Sequence, residues 1–484
     1  MDSMEKRHRF QVSHLHTTVE IPIEFRNTAL DLRNKTLCAS GFHAPERGKI
    51  DILDDVLIDV SAGGTISAIH RPSDPNYRSI RDAREETGEL VTLPAGSYLL
   101  PGFIDLHVHA PQYPQLGSAL DVPLEVWLQK YTFPLEARYE DLAFARRSYG
   151  LLVDDLLANG TTTALYFATV HQDATRTLVD TCIEKGQRAL IGKVSMDNVD
   201  ECPDYYRDAS PEAAINGTRA LIDYVRAHPE NTDGRVLPVI TPRFIPSCTD
   251  ATLEGLGALA KECGCHVQTH CSESDWAHGY VLSRYGVTDT EALDRFGLLG
   301  RRTVLAHANF LTTDDMDRVR EREAAVAHCP LSNVYFANAV FPLRAALDKG
   351  VHVGLGTDIS GGPSASMLEN CRGAILMSRA LESGVDPTLD SAARATVGPA
   401  QIDFRDAFYI ATAGGGVALD LPVGQFRPGY LFDAIVIDTR AEKGSVRLFD
   451  EFDSGEQILQ KIINTASKPN IAATWVGGLN VRLP

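Results

Sequence analysis

The sequence predicts an α/β protein with a central (β/α)8 TIM-type barrel and a small β-sandwich domain formed from the N- and C-terminal segments. Two observations lead to this prediction. Apolar runs alternate eight times with helical patterns in the middle of the chain, and both ends repeat a strand–Gly-Gly–strand pattern. A doubly wound open sheet is the alternative, but no GxGxxG motif follows the first central strand.

The two ends of the chain predict β-hairpins, because "DVLIDVSAGGTISAIH" and "IAATWVGGLNVRLP" each place Gly-Gly between two apolar alternations. We therefore expect one β domain from residues 1–98 and 416–484, with the barrel formed by residues 99–415. The charged segment 71–90 contains two prolines and is expected to be an exposed excursion from the β domain.

The middle of the chain carries eight candidate strands, joined by helical segments that often end at a glycine C-cap. The strands are "GFIDLHVH", "TTALYFAT", "RALIGKVSM", "RVLPVITPRF", "HVQTH", "TVLAHA", "AAVAHCP" and "VHVGLGTD". Strands separated by helical crossovers pair in parallel, and eight of them are enough to close a barrel.

Composition and charge exclude several classes of partner. The 484 residues carry a formal net charge of −18, which disfavours binding to nucleic acid or to an anionic membrane. No apolar run approaches the roughly 20 residues that span a bilayer, and the polar start "MDSMEKRHRF" does not resemble a signal peptide. The nine scattered cysteines predict reduced thiols and a cytoplasmic location.

Residues able to bind metal follow the ends of the predicted strands. The first strand ends in His107 and His109, the fifth in His270, the sixth in His307 and the eighth in Asp358. Catalytic groups of a parallel barrel gather at this edge. Three neutral imidazoles and one carboxylate from this set suit a zinc ion, which lowers the pKa of a bound water toward about 7.

Strict alternation along the first strand predicts that Asp105, His107 and His109 share one face while the intervening apolar residues share the other. On the eighth strand, Gly354 and Gly356 share the face of Asp358 and are expected to leave space beneath it inside the barrel.

Glu273 follows a predicted metal ligand within three residues, where a proton shuttle would be needed. Lys193, in "GKVSM", could bridge two metals as a carboxylated lysine, but it lies within the third strand. A single metal, with Lys193 as a buried structural group, is therefore favoured. His328 and Cys329, at the end of the seventh strand, are expected to shape the site and not to bind metal.

Several motifs resemble the guanine deaminases of the amidohydrolase superfamily, over about residues 100 to 440. The motifs are "PGFIDLHVHAPQY", "WLQKYTFPLEARY", "NGTTTALYFATVH", "GQRALIGKVSMD", "TPRF", "QTHCSES", "AHCPLSN" and "GLGTDISGG". The resemblance implies one Zn2+ per chain, with these ligands: His107, His109, His270 and Asp358. It also implies that Glu273 protonates the substrate ring, that His307 orients the attacking water and that Asp358 accepts the proton of this water.

The same resemblance implies hydrolytic deamination of guanine to xanthine and ammonia, in a cytoplasmic homodimer. Gln112 and Arg243 would hydrogen-bond the purine edge and Phe244 would lie against its face. The other implied substrate contacts are His270, Glu273 and Asp358. For Arg243, a structural ion pair that closes a barrel loop is the alternative interpretation.

Two other functions are left open by the sequence. The first is a related enzyme of the same superfamily, acting on 8-oxoguanine, an adenosine-type nucleoside or a triazine. The bulky segment "WLQKYTFPLE" argues against a pocket that admits a ribose. The second is a non-catalytic scaffold, which is disfavoured because every position expected to carry the chemistry is occupied by a suitable residue.

Overall fold

The computed structural model describes residues 30–337, 339–395 and 397–481. The predictions made for the polar start of the chain lie outside these residues. The strands form two sheets. In chain order they are β1 (Lys35–Glu46), β2 (Lys49–Val60), β3 (Ile66–His70), β4 (Leu90–Thr92), β5 (Ser97–Pro101), β6 (Phe103–His109), β7 (Thr161–Phe167), β8 (Arg188–Gly192), β9 (Val194–Ser195), β10 (Val236–Pro242), β11 (His266–Cys271), β12 (Thr303–His307), β13 (Ala325–His328), β14 (His352–Leu355), β15 (Ala434–Asp438), β16 (Ile471–Val476) and β17 (Leu479–Asn480).

The first sheet draws its strands from both ends of the chain, as predicted. Its order is β17-β16-β15-β5-β1-β2-β3, with β4 beside β1. The two Gly-Gly hairpins are confirmed as the antiparallel pairs β2–β3 and β16–β17. Segment 71–90 is mostly exposed and contains a helix, Tyr77–Glu86. Arg81 anchors this helix to the sheet by donating from Nη1 to Asp55 Oδ2 over 2.9 Å.

The second sheet is the predicted barrel. Its parallel order, β14-β13-β12-β11-β10-β8-β7-β6, contains all eight predicted strands, the third of which is divided into β8 and β9. Two backbone hydrogen bonds join the first strand to the segment after the last: Asp358 N–H donates to His107 O over 2.8 Å, and His109 N–H donates to Ile359 O over 2.9 Å. Barrel closure therefore brings the histidines of β6 beside Asp358.

Helices pack around the barrel, and one lies on the terminal sheet. Within the described residues, none combines the length and apolar character needed to cross a bilayer. They are α1 (Tyr77–Glu86), α2 (Leu124–Trp127), α3 (Phe133–Ala137), α4 (Leu142–Ala158), α5 (Gln172–Lys185), α6 (Pro211–Ala227), α7 (Asp250–Cys263), α8 (Asp275–Tyr285), α9 (Asp289–Arg295), α10 (Thr313–Glu321), α11 (Pro330–Phe336), α12 (Leu343–Asp348), α13 (Met367–Ser383), α14 (Ser391–Arg394), α15 (Phe404–Ala411), α16 (Ala413–Ala418) and α17 (Glu456–Thr465). Shorter 3-10 turns cover Ala110–Gln115, Arg138–Glu140, Ile245–Ser247 and Lys468–Asn470, and a π turn covers Leu128–Thr132.

The predicted alternation along β6 is wrong at one point. Ile104 and Leu106 pack with apolar residues of five other barrel strands, so they face the barrel interior, whereas Val108 packs with helix residues outside. The register with β7 shifts between Asp105 and Val108. Because of this bulge, the consecutive side chains of Leu106 and His107 both point into the barrel. β-bulges often re-aim a side chain beside an active site in this way.

The space expected beneath Asp358 is filled by two side chains of β6. A Cβ added at Gly354 would lie 2.4 Å from Leu106 Cδ1, and one at Gly356 would lie 2.7 Å from His107 Cβ. The two glycines are thus required by close packing between the last and first strands. They set the depth at which His107 enters the barrel.

Candidate metal and active site

The histidines and carboxylates at the strand ends converge on one buried cluster. His107 Nε2 lies 3.2 Å from Asp358 Oδ1, and His109 Nε2 lies 3.6 Å from the same oxygen. The ring nitrogens His109 Nε2 and His270 Nε2 are 2.9 Å apart. Ligand atoms of the three histidines all lie within 4.8 Å of one another. These residues could therefore hold a metal ion.

The protonation pattern of the histidines fits a cation better than a hydrogen-bond network. His270 Nδ1–H donates to the Arg243 carbonyl oxygen over 2.5 Å, which leaves Nε2 with a lone pair. His107 Nε2 is buried without a hydrogen-bond partner. Burial lowers the pKa of His107, His109 and His270 well below the usual value, so the rings are neutral. Neutral imidazole lone pairs that face one another beside a carboxylate suit zinc.

His307 lies beside the cluster with its ring orientation fixed. Its Nδ1–H donates to Asn333 Oδ1 over 2.9 Å. The other nitrogen, Nε2, lies 3.6 Å from Glu273 Oε1 and 3.9 Å from Asp358 Oδ2. Ser332 Oγ–H donates to Asp358 Oδ2. Two polar residues of α11 therefore orient the groups around the metal cluster, as partners of ligands commonly do.

Glu273 is buried at the edge of the cluster. Burial, together with the charge of Asp358, raises the pKa of Glu273 to about 8. A carboxyl group with such a pKa holds a proton near neutral pH, which is what a general acid requires.

A cavity of about 350 Å³ opens onto the cluster, and it contains both the predicted substrate contacts and an apolar wall. Its lining residues are His109, Gln112, Leu124, Trp127, Leu128, Arg243, Phe244, His270, Glu273, Phe336, Asp358 and Gly361. The apolar wall comes largely from the segment "LEVWLQKYTFPLE", where the π turn Leu128–Thr132 interrupts the helix. Such turns are frequent at functional sites.

Arg243 both lines the cavity and forms a buried ion pair, so the two interpretations of this residue are compatible. Its Nη1 donates to Glu136 Oε2 over 2.7 Å and its Nη2 donates to Glu136 Oε1 over 3.1 Å. Gln112 Nε2 donates to Glu136 Oε1 over 2.8 Å, while Gln112 Oε1 accepts from Ser360 N–H over 3.2 Å. Glu136, which the sequence analysis did not select, therefore orients both side chains.

Three residues in or beside the cluster have a strained backbone. Ser272, His307 and Asp358 have φ of 45°, 69° and 50°, in the left-handed region that residues with a Cβ rarely adopt. Conformations of this type persist where the surrounding structure holds them, which is common at active sites. The strain marks the loops after β11, β12 and β14 as functionally constrained.

Lys193 lies outside the cluster and is paired with another residue. Its Nζ donates to Asp208 Oδ1 over 2.7 Å and to the carbonyl of Val194 over 3.0 Å. Cys329 lies nearer to the cluster than Lys193. Its Sγ would be 3.0 Å from a Cβ atom added at Gly356, which is two residues before Asp358. Neither residue belongs to the groups of potential metal ligands in the described part of the chain.

Comparison with known proteins gives a consistent result. Residues 98–481 match the amidohydrolase family. The probable guanine deaminase of Schizosaccharomyces pombe is 36% identical over 445 residues, which cover 90% of this chain and 81% of the relative. The guanine deaminase of Dictyostelium discoideum is 35% identical over 457 residues, 91% of this chain and 96% of the relative. The crystal structure of guanine deaminase from C. acetobutylicum, with guanine in its active site, has a TM-score of 0.80 at 30% identity, covering 92% of this chain and 99% of that one. The chain therefore belongs to the amidohydrolase family.

Proposed function

We propose that this protein is a zinc-dependent guanine deaminase, which hydrolyses guanine to xanthine and ammonia. The observation that carries the proposal is that Gln112 and Arg243, which line the cavity together with members of the metal cluster, have N–H donors left for a ligand. Relatives named guanine deaminase cover most of the chain at 35% and 36% identity, which supports the same substrate.

Glu136 and Ser360 determine which polar groups of Gln112 and Arg243 remain free. The Gln112 carbonyl oxygen is engaged by the Ser360 N–H, and one Nε2 hydrogen is engaged by Glu136, so an N–H donor is left for a ligand. Arg243 has no acceptor and uses two of its five N–H groups on Glu136. These donors suit the carbonyl edge of guanine. Adenine lacks this carbonyl and would leave the donors unpaired, and buried polar sites strongly reject such analogues.

The metal centre is proposed to hold one zinc ion per chain, bound by His107, His109, His270 and Asp358. A bound zinc ion makes water a nucleophile near neutral pH. His307 Nε2 accepts from the attacking water and orients it. Asp358 accepts a proton from this water.

Glu273 is the proposed general acid. It transfers its proton to ring nitrogen N3 of guanine, which makes C2 electrophilic enough for attack by water. Glu273, left as a carboxylate, takes the remaining proton of the added hydroxyl group and delivers it to the exocyclic amino group, and the proton held by Asp358 then returns to Glu273. The C2–N bond breaks and ammonia leaves, so that guanine and water give xanthine and ammonia. Phe244 packs against the face of the base.

The lining of the cavity separates this proposal from one of the alternatives. Trp127, Leu128 and Phe336 line it with bulky apolar side chains, which offer few hydrogen-bond partners to the hydroxyl groups of a ribose. This favours a free base over an adenosine-type nucleoside. A homodimer and a cytoplasmic location remain predictions, to be checked by light scattering and by fractionation.

A substrate panel read by ultraviolet absorbance tests the proposal. Guanine, 8-oxoguanine, adenine, cytosine, guanosine and a triazine are compared at equal concentration. We expect guanine to give the highest kcat/KM, with adenine lower by about 10⁴-fold or more. Faster turnover of adenine, guanosine or the triazine than of guanine would contradict the assignment.

A further inference from the structure

The loop that carries Glu273 joins β11 to α8 through a residue in an unusual conformation. Ser272 has φ of 45°, although glycine is the residue that adopts such a value readily. Ser272 follows His270 by two positions and immediately precedes Glu273. Its backbone conformation therefore determines where the Glu273 carboxylate lies.

Asp289, the first residue of α9, supplies the acceptors that hold Ser272. The Ser272 backbone N–H donates to Asp289 Oδ1 over 3.0 Å, and the Ser272 hydroxyl donates to Oδ2 over 3.0 Å. His278 Nδ1 lies 3.2 Å from Asp289 Oδ2 and 3.1 Å from the Ser272 hydroxyl oxygen. Asp289 is buried, and neither it nor Ser272 nor His278 lines the cavity. An effect of Asp289 on the reaction must therefore act through the loop.

Asn309 holds the same loop from its other side. Its Nδ2 donates to the Glu273 carbonyl oxygen over 2.8 Å, and its backbone N–H donates to the Ser272 carbonyl oxygen over 3.1 Å. The peptide groups on both sides of Ser272 are thus fixed. With the backbone held, the Glu273 carboxylate lies 3.6 Å from His307 Nε2.

We propose that Asp289 is a positioning residue for the reaction: it holds Ser272 in the left-handed conformation that directs Glu273 toward the substrate. The inference rests on the proposed role of Glu273 in deamination. Without Asp289, the Ser272 N–H loses its acceptor and the residue relaxes to negative φ. Displacement of a catalytic group by about 1 Å lowers a rate by about 100-fold.

Asp289→Ala and Asp289→Asn test the inference as a pair. The Asn variant retains an oxygen that accepts from the Ser272 N–H, and its amide can donate to the Ser272 hydroxyl. We expect Asp289→Ala to lower kcat for guanine by about 10- to 100-fold with little change in KM, while zinc per chain stays at the wild-type level. Asp289→Asn should keep most of the activity. Asp294→Ala is the matched control, because Asp294 lies on the same helix but accepts from Arg322 over 2.8 Å at the surface.

Two combined variants distinguish a positioning effect of Asp289 from a general loss of folding. Glycine adopts positive φ without help from an acceptor, so Asp289→Ala combined with Ser272→Gly is expected to recover part of the lost kcat. Asp289→Ala is also combined with Glu273→Gln. Because Asp289 acts through Glu273, the double variant should be no slower than Glu273→Gln alone.

Three outcomes would overturn the inference: wild-type kcat in Asp289→Ala, equal losses in the Ala and Asn variants, or multiplied losses in the combination with Glu273→Gln. Failure of the proposed function is recognised separately, because wild-type protein would then not deaminate guanine at all.

Discussion

Two buried arginine–carboxylate pairs lie at opposite ends of the barrel and have different surroundings. At the amino end, Arg188 donates to Asp433 over 2.8 and 3.1 Å, and the Gly477 N–H also donates to Asp433. This pair joins the first strand residue of β8 to the terminal sheet. At the carboxyl end, Arg243 pairs with Glu136 and also lines the cavity.

We propose that the pair at the amino end serves assembly and that the pair at the carboxyl end serves substrate recognition. Arg188 and Asp433 lie away from the residues that line the cavity, so their bonds act only on the packing of barrel against sheet. Arg243 has donors left for a ligand after pairing with Glu136. At the carboxyl end, Ser272, His307 and Asp358 also have positive φ. In parallel barrels, the amino end generally serves stability and the carboxyl end serves catalysis.

The largest effect on activity is expected from Glu273→Gln at the carboxyl end. Gln keeps the shape of the side chain but cannot carry the proton, so kcat for guanine should fall by about 10²- to 10⁴-fold. Metal analysis should find zinc unchanged. Glu262→Gln, in an exposed pair with Arg219, is the control. Full activity of Glu273→Gln would remove this residue from proton transfer.

At the amino end, Arg188→Met is expected to change stability and not catalysis. It leaves the Asp433 carboxylate buried without its cation, which lowers the free energy of unfolding by about 3–5 kcal/mol. Urea unfolding at fixed zinc concentration measures the loss, and kcat/KM of the folded protein should match the wild type. A large fall in kcat/KM would contradict the division of roles between the two ends.

A smaller effect is expected when both charges are removed at the carboxyl end, by Glu136→Gln together with Arg243→Met. Loss of a charge-assisted hydrogen bond to the substrate should lower kcat/KM for guanine by about 10- to 100-fold. Removing both partners avoids an unpaired buried charge, so stability should change less than in Arg188→Met. Urea unfolding and steady-state kinetics of the same samples provide both readouts. Unchanged kcat/KM would show that this pair, too, is only structural.

The smallest expected effect is on the pH profile. Burial raises the pKa of Glu273 to about 8, and a bound cation opposes that rise. Because the protonated form is the active acid, kcat/KM should fall as pH rises through a value at or below about 8. A value of kcat/KM that stays constant up to pH 9 would contradict the role of Glu273 as general acid. Arg188→Met is the control and should have the same pH profile as the wild type.

Sequence patterns predicted much of the fold, because buried parallel strands give continuous apolar runs and their order follows from helical crossovers. The bulge in β6 was not predicted. Strict alternation placed Leu106 opposite His107, whereas both face inward. A bulge depends on the register with the neighbouring strand, and this register cannot be read from the sequence of β6 alone.

The strand-end histidines could be selected from the sequence, because the topology of a barrel brings strand ends together wherever they lie in the chain. Glu136 and Asp289 could not. Glu136 meets Arg243 across 107 residues, and Asp289 meets Ser272 from the start of a separate helix. Their partners are set by helix packing, and a buried carboxylate in a helical segment has no pattern that distinguishes it from an exposed one.

The most direct test of the account is to titrate zinc into chelator-treated protein while measuring guanine deamination and bound metal together. Activity is expected to be absent without metal and to rise in proportion to bound zinc until one ion per chain is present. Full activity in metal-free protein, or a requirement for a second ion per chain, would contradict it.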